Sequence, residues 1–366
     1  FLYSKLLIVI LIGSGIYFTI RTRFPQVRLF RKACNAVMEK PEGKESVSSF
    51  QALMVSTASR VGTGNIVGVS SAICIGGVGS VFWMWIIAIL GSASALAEST
   101  LAQIYKKKGE DGKCYGGPAY YIEAALHSRG LAVVFCIAMI LTYAFGFNML
   151  ASYNLQSTFA GQPFYNADIT PWIIGGILAL VMGWCLLGGG NRIVKVTSTL
   201  VPFMGIAYIL VSLLIVVLNI GQLPSVMAQI FKEAFDFKAI FAGFAGSAMM
   251  QGIRRGLYSN EAGIGSAPNA AASAVVSHPV KQGLVQMLSV FIDTLLLCTA
   301  TAMMCLVSGV IPAKELQGAP WVQAALHKTL GSFGPYFIMI SMVLFAFTTL
   351  LGNCFYCDNL LTYIHK

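Results

Sequence analysis

The sequence predicts an all-α polytopic membrane protein, on three observations. Only 10% of the 366 residues are charged and 57% are hydrophobic, whereas a soluble domain carries about 25% charged residues. Apolar runs of the length a helical span needs, about 20 residues, recur nine times. Those runs are apolar on every side instead of alternating with a period of two, which excludes a membrane β-barrel. A mean hydropathy of +0.75 agrees with this class.

In chain order the runs cover 5–20, 50–76, 80–104, 131–159, 171–189, 197–218, 239–259, 282–309 and 336–363, with Gly, Pro and charged clusters between them. The first is not a cleavable leader, because it has neither a basic start nor a small-residue cleavage site, and Arg21 and Arg23 come after it. Its first residue is Phe1 and not Met, so a start further upstream is expected. Residues 1–49 read as an N-terminal transmembrane helix with a basic amphipathic linker, and the remaining spans follow from 50 onward.

Basic residues give the orientation. They gather in the loops at 21–49, 105–130, 190–196 and 254–281, while Lys5, Lys232, Lys238, Lys314 and Lys328 fall on the opposite side. Lys and Arg accumulate in cytoplasmic loops, so the first basic loop is placed inside the cell and the start of the first helix outside, in the plasma membrane. The net charge of +10 is then a topology signal, and no nucleic-acid partner is expected.

Several apparent motifs carry no chemistry. The nine cysteines are scattered through apolar runs, and Cys354 and Cys357, although spaced CxxC, have no second pair and no adjacent histidine. His127, His278, His327 and His365 lack ligand spacing. Gly62-Thr-Gly64-Asn-Ile-Val-Gly68 has the spacing GxGxxxG inside an apolar helix, with no strand before it, and is not a dinucleotide site. Neither paired acids nor HExxH occurs, so an enzyme is not expected. A channel built from rings repeated by oligomeric symmetry is not expected either.

Two spans are interrupted by polar residues and glycine. They are Ser56-Thr-Ala-Ser-Arg-Val-Gly-Thr-Gly-Asn-Ile-Val-Gly68 in the second span and Gly243-Phe-Ala-Gly-Ser-Ala-Met-Met-Gln-Gly-Ile-Arg-Arg-Gly256 in the seventh. Open backbone at membrane depth survives only where it lines a cavity or is enclosed by protein. Matching interruptions five helices apart point to an inverted-repeat transporter that binds substrate and ion at the repeat interface.

The sequence resembles the alanine or glycine:cation symporter family, the sodium:alanine symporters. The residues carrying the likeness are Ser49-Phe-Gln-Ala52, Arg60-Val-Gly-Thr-Gly-Asn-Ile66, Val81-Phe-Trp-Met-Trp85, Gly116-Gly-Pro118 with Tyr120-Tyr121, Arg255-Gly-Leu-Tyr-Ser-Asn-Glu-Ala-Gly263 and Phe291-Ile-Asp-Thr294. The resemblance implies the inverted five-helix repeat of the bacterial leucine transporter with one extra N-terminal helix. Residues 50–218 would form the first repeat and 219–366 an incomplete second repeat of three helices. The last two core helices would be missing, as in a fragment or a truncated gene. It also implies sodium-coupled symport of alanine or glycine by alternating access, with no cofactor beyond Na+ and no obligate protein partner. A carrier for another small neutral or D-amino acid, or one coupled to protons, is the alternative.

Roles follow for particular residues. The amides of Thr63 and Gly64 open a half-helix and suit a carboxylate, and Asn65 offers an oxygen to a second ion. Carbonyls of Phe244, Ala245 and Gly246, with the Ser247 hydroxyl, are expected to face the ammonium, and Phe244 to limit side-chain size. For sodium the resemblance suggests the carbonyls of Ala58 and Val61 with Thr348 and Thr349, although those two hydroxyls can instead bond back to their own helix. Asn148, Asn154 and Gln156 in the fourth span are further cavity contacts. Arg60 and Glu98 read as a gate or a structural brace. Asp293 reads as an ion sensor, a proton acceptor or a structural acceptor, and intramembrane ionisable residues are functional by default. The stretch from Arg255 to Gly265, which includes Glu261, reads as a cytoplasmic hinge or inner-gate loop.

Overall fold

The computed structural model describes residues 6–39, 47–109, 113–236 and 247–365. In chain order the helices are α1 (Leu7–Arg21), α2 (Pro25–Arg28), α3 (Phe30–Val37), α4 (Ser49–Arg60), α5 (Thr63–Gly76), α6 (Ser80–Ile104) and α7 (Pro118–Leu126). There follow α8 (Arg129–Thr158), α9 (Thr170–Leu186), α10 (Gly189–Leu218), α11 (Leu223–Ala234), α12 (Ala248–Asn260), α13 (Ala267–Ser273), α14 (Pro279–Val307), α15 (Ala319–Leu330) and α16 (Phe333–Ile364). A two-stranded antiparallel hairpin, β1 (Lys107–Lys108) with β2 (Cys114–Tyr115), sits between α6 and α7.

Among the described residues α6, α8, α10, α14 and α16 are long and apolar enough to cross a membrane, and α1, α5 and α9 are shorter apolar helices. The chain is therefore a polytopic helical membrane protein. Each of the nine predicted runs holds helix; the second is divided between α4 and α5, and the seventh is described only from Ser247 onward. Short helices such as α7, α11 and α15 lie between the runs and escape a search for long apolar stretches. Two spans carry a wider π turn, Leu141–Phe147 in α8 and Phe291–Cys298 in α14, a distortion frequent at functional sites.

The first interruption has a local cause. Ser48 and Gln51 cap the start of α4 reciprocally, at 2.9 and 3.1 Å. The helix stops at Arg60, where Val61 takes a ψ of 86° and Gly62 an extended conformation. Asn65 then accepts from the Gly62 amide at 3.1 Å and restarts the chain as α5.

Of the second predicted interruption, residues 243–246 lie outside the described residues, and Ser247 stands extended as the cap from which α12 starts. Residues 248–260 form unbroken helix, and the chain opens between Glu261 and Ser266, where Glu261 has φ 50°, Gly263 φ 83° and Gly265 φ 87°. Arg254 and Arg255, assigned from sequence to a cytoplasmic loop, stand inside α12. Gly252 and Gly256, the described glycines of the predicted segment, serve packing within α12. A Cβ on Gly256 would stand 3.0 Å from Ile87, and one on Gly252 would collide with the backbone of Ser80, so both let α12 press against α6.

α5, the second half of the first interrupted helix, packs on α12, while α4, its first half, packs on α13. The two openings therefore lie level with each other, and α6 runs beside both α12 and α13. Apolar side chains close the surroundings, with Leu53, Ile66, Met84, Trp321 and Phe345 each at most 2% exposed in one cluster.

Candidate functional site

A cavity of about 520 Å³ opens where the interruptions meet. Ser59, Arg60, Gly62, Thr63 and Gly64 line it from the first, and Ser259 and Glu261 from the second. Arg255 and Tyr258 of α12, Phe147 and Asn154 of α8, Gln317 and Gly318 before α15, and Thr349 of α16 complete the wall.

The start of α5 leaves donors free. Four amides at a helix start lack an intrahelical partner; here that of Gly62 goes to Asn65 Oδ1, and that of Asn65 reaches the Gly62 carbonyl at 3.0 Å. Among the described residues the amides of Thr63 and Gly64 have no such partner, and both residues line the cavity. Beside them Asn154 Nδ2 donates to Thr63 Oγ1 at 3.2 Å. Such a cluster of donors suits an anionic group.

Behind this wall lies a carboxylate. Asp293, fully buried in the π turn of α14, accepts from Asn65 Nδ2 at 2.7 Å, from Ser259 Oγ at 2.7 Å and from Thr294 Oγ1 at 2.8 Å. One side chain thus ties the first interruption, the end of α12 and α14 together. Three donors satisfy the ionised form, and a buried carboxylate survives only when so supplied.

The other acids also hold backbone or hydroxyl groups. Glu98 of α6 accepts from the amides of Gly263 at 3.2 Å and Gly265 at 3.0 Å, bracing the open stretch. Glu261 accepts from Ser266 Oγ at 2.8 Å. Arg60, 3% exposed, attracts both acids without touching either, and among the described residues all three of its guanidinium nitrogens lack a hydrogen-bond partner.

The predicted ion and substrate residues separate into groups. Thr349 lines the cavity, is 8% exposed, and its hydroxyl is buried without a partner beside Gly62. Ala58 and Val61 are fully buried at the end of α4, on the other side of the same opening. Thr348 turns away: its hydroxyl donates to Leu344 O at 2.9 Å and touches Met204 Sδ at 3.5 Å. Asn148 accepts from Asn353 Nδ2 at 2.8 Å, and Gln156 donates to the Tyr165 hydroxyl, so neither side chain joins the cavity wall. Ser247 caps α12 by accepting from the Met250 amide at 3.3 Å. Phe244, Ala245 and Gly246 lie outside the described residues.

Comparison with known proteins decides the lineage. The model of the sodium:alanine symporter family matches residues 1–366. The chain belongs to that family. It is 45% identical over 368 residues to the probable sodium/glutamine symporter of Bacillus subtilis, covering 100% of this chain and 76% of the relative. An amino-acid carrier protein of the same organism is 45% identical over 361 residues, covering 98% and 76%. The sodium/alanine symporter of Methanococcus maripaludis is 37% identical over 370 residues, covering 100% and 82%. As a member of a sodium-coupled symporter family the chain is a transporter and not an enzyme, with Na+ as coupling ion and amino acids as the substrate class.

Within this symporter the stretch from Arg255 to Gly265, read from sequence as a hinge or inner-gate loop, divides between helix and opening. Arg255 and Tyr258 read as loop residues but stand on α12, with the guanidinium carbon 5.1 Å from the Tyr258 ring centre. Tyr258 in turn meets Phe147 edge to face at 5.2 Å. Glu261 lies at the second opening itself. The signal for the opening was Glu261-Ala-Gly-Ile-Gly-Ser266, two glycines and polar ends between helical stretches, within the segment read as a hinge or inner-gate loop; the cavity-facing place of Arg255 and Tyr258 had no such signal.

Proposed function

We propose that this symporter couples sodium entry to uptake of a small neutral amino acid, alanine or glycine, by alternating access across the plasma membrane. The observation that carries the reading is the meeting of the first interrupted helix and the open end of α12 at one polar cavity. Half-helix ends offer amides to an anion and carbonyls to a cation without side-chain charge. The amides of Thr63 and Gly64 take the carboxylate. The end of α12 at Ser259 and Glu261 faces the ammonium.

The sodium cage is assigned to the carbonyls of Ala58 and Val61 with the Thr349 hydroxyl, because a hard cation seeks oxygens and Thr349 has one to give. Asn65 Oδ1 is a further ligand. Thr348 is left out of the cage, since its hydroxyl is spent on α16 and Met204. Residues 50–218 are read as one repeat and 219–366 as the opening of its inverted partner, with the packing of α5 on α12 and of α4 on α13 as support. Glu98 serves as a brace of the second opening.

The energetics suffice. One charge moved inward through 100 mV yields about 2.3 kcal/mol, and a tenfold sodium gradient adds about 1.4 kcal/mol, enough together for accumulation of several hundredfold. The test is uptake of labelled alanine, glycine and glutamine into proteoliposomes with sodium replaced by choline. Uptake of alanine or glycine that collapses in choline is expected. Preference for glutamine overturns the substrate, and uptake driven by a proton gradient alone overturns the ion.

A further inference from the structure

Arg255 is a cation that the buried Asp293 carboxylate attracts from a distance and no acceptor among the described residues touches. It lines the cavity, and among the described residues its guanidinium has neither an ion pair nor a hydrogen bond; Nε is buried and unpartnered. The contact it does make is with the face of Tyr258. An arginine is always charged and presents five donors in a planar fork, so a group without acceptors in a walled cavity is set for an anion from outside the chain.

Its position specifies which anion. The side chain lies along the glycine face of α5: a Cβ on Gly64 would stand 2.6 Å from Nη2 and 3.3 Å from Nη1, and one on Gly68 would overlap the guanidinium. The fork therefore ends at the first turn of α5, beside the free amides of Thr63 and Gly64. Gly64 and Gly68, spaced four apart on one helix face, are the reason it fits there. A second sign that this opening awaits a ligand is Thr349, 8% exposed, whose unpartnered hydroxyl lies against Gly62.

We propose that Arg255 is a specificity-determining residue that receives the carboxylate of the transported amino acid together with the amides of Thr63 and Gly64. The inference rests on the reading of the cavity as an amino-acid site. A guanidinium fork matches a carboxylate with two parallel hydrogen bonds, and the helix end adds two more donors on the other side. Amines and amino-acid amides, which lack the anionic group, are rejected because they would leave the fork unpaired in a desolvated wall.

The experiment uses the full chain in proteoliposomes, with labelled L-alanine and L-glutamine as probes and L-alaninamide as competitor. In Arg255→Gln the KM of the transported amino acid rises at least about tenfold, with turnover changed less than KM, and the preference for the acid over alaninamide narrows by a similar factor. Arg255→Lys, which keeps the charge but loses the fork, falls between. Gly68→Ala keeps Arg255 but puts a methyl where the guanidinium rests, in a helix that favours alanine. It raises KM in the same direction while the melting temperature holds. Wild-type uptake with an unchanged KM and unchanged acid preference in Arg255→Gln and Gly68→Ala overturns the proposal and leaves the transport reading standing. Absence of sodium-dependent uptake of either amino acid in the wild type overturns both.

Discussion

Asn65 of α5 donates to Asp293 of α14 across 2.7 Å, and the same carboxylate takes Ser259 from the end of α12. Asp293 is thus the point at which both interrupted helices are fastened to a third. Sequence reading left this acid open between sensing an ion, taking a proton and accepting hydrogen bonds; its three donors favour the last.

Removing that fastening should unfold the site from behind. Asp293→Ala strands Asn65 Nδ2 and two hydroxyls in a fully buried position, and hydrogen bonds to a charged group contribute about 1.5–3 kcal/mol each. Melting of the purified protein in detergent should fall by several degrees, more than in the isosteric Asp293→Asn, which keeps an acceptor oxygen. Equal melting in wild type and Asp293→Ala would show that the network holds nothing.

Glu98 should act on the second opening and not as a gate partner of Arg60. Its two oxygens hold the amides of Gly263 and Gly265, both at positive φ, a backbone that needs support because no helix ladder satisfies it. Glu98→Ala should speed amide hydrogen exchange across 262–266 and reduce transport, with exchange in α5 unchanged. If exchange instead rises around Arg60 while 262–266 stays protected, the brace is misassigned.

The broken helices show what a sequence reveals and what it hides. The first opening was legible because Gly62, Gly64 and Asn65 stand together, and Asn65 is the residue that caps the restarted helix. Of the second, only the part from Ser247 onward is described, and there its glycines divide between two tasks. Gly252 and Gly256 mark close approach of α12 to α6, whereas Gly263 and Gly265 supply left-handed backbone. One residue type performs two physical tasks, and only neighbours from other segments tell them apart. The same holds for Thr348 and Thr349, adjacent in sequence yet facing a methionine and a cavity.

That pair offers a clean separation of ion binding from stability. Thr349→Val removes a hydroxyl that no protein group uses, so folding should be nearly unchanged. If the hydroxyl belongs to the sodium cage, half-maximal activation by sodium should require about tenfold more ion, equivalent to about 1.4 kcal/mol. Thr348→Val removes a hydroxyl bonded to its own helix and should leave sodium activation alone. The opposite ranking of the two variants would move the cage to the other threonine.

The tight seam beside the first opening is tested by glycine. A Cβ on Gly352 of α16 would stand 2.6 Å from the Ser59 amide nitrogen and 2.9 Å from its Cα, atoms of backbone that cannot step aside. Around that contact Ser59 Oγ donates to Asn353 Oδ1 at 2.7 Å and Asn353 Nδ2 to Asn148 at 2.8 Å, joining α4, α16 and α8. Gly352→Ala gains about 1 kcal/mol of helix propensity but incurs overpacking of about 1–3 kcal/mol and pulls those bonds apart. Its melting temperature should therefore fall. Gly176→Ala in α9, where nothing lies within 4 Å of the added carbon, keeps only the propensity gain and should melt at or above the wild-type temperature. Two identical substitutions with opposite signs would locate the constraint in the seam between α16 and α4, and matching signs would remove it.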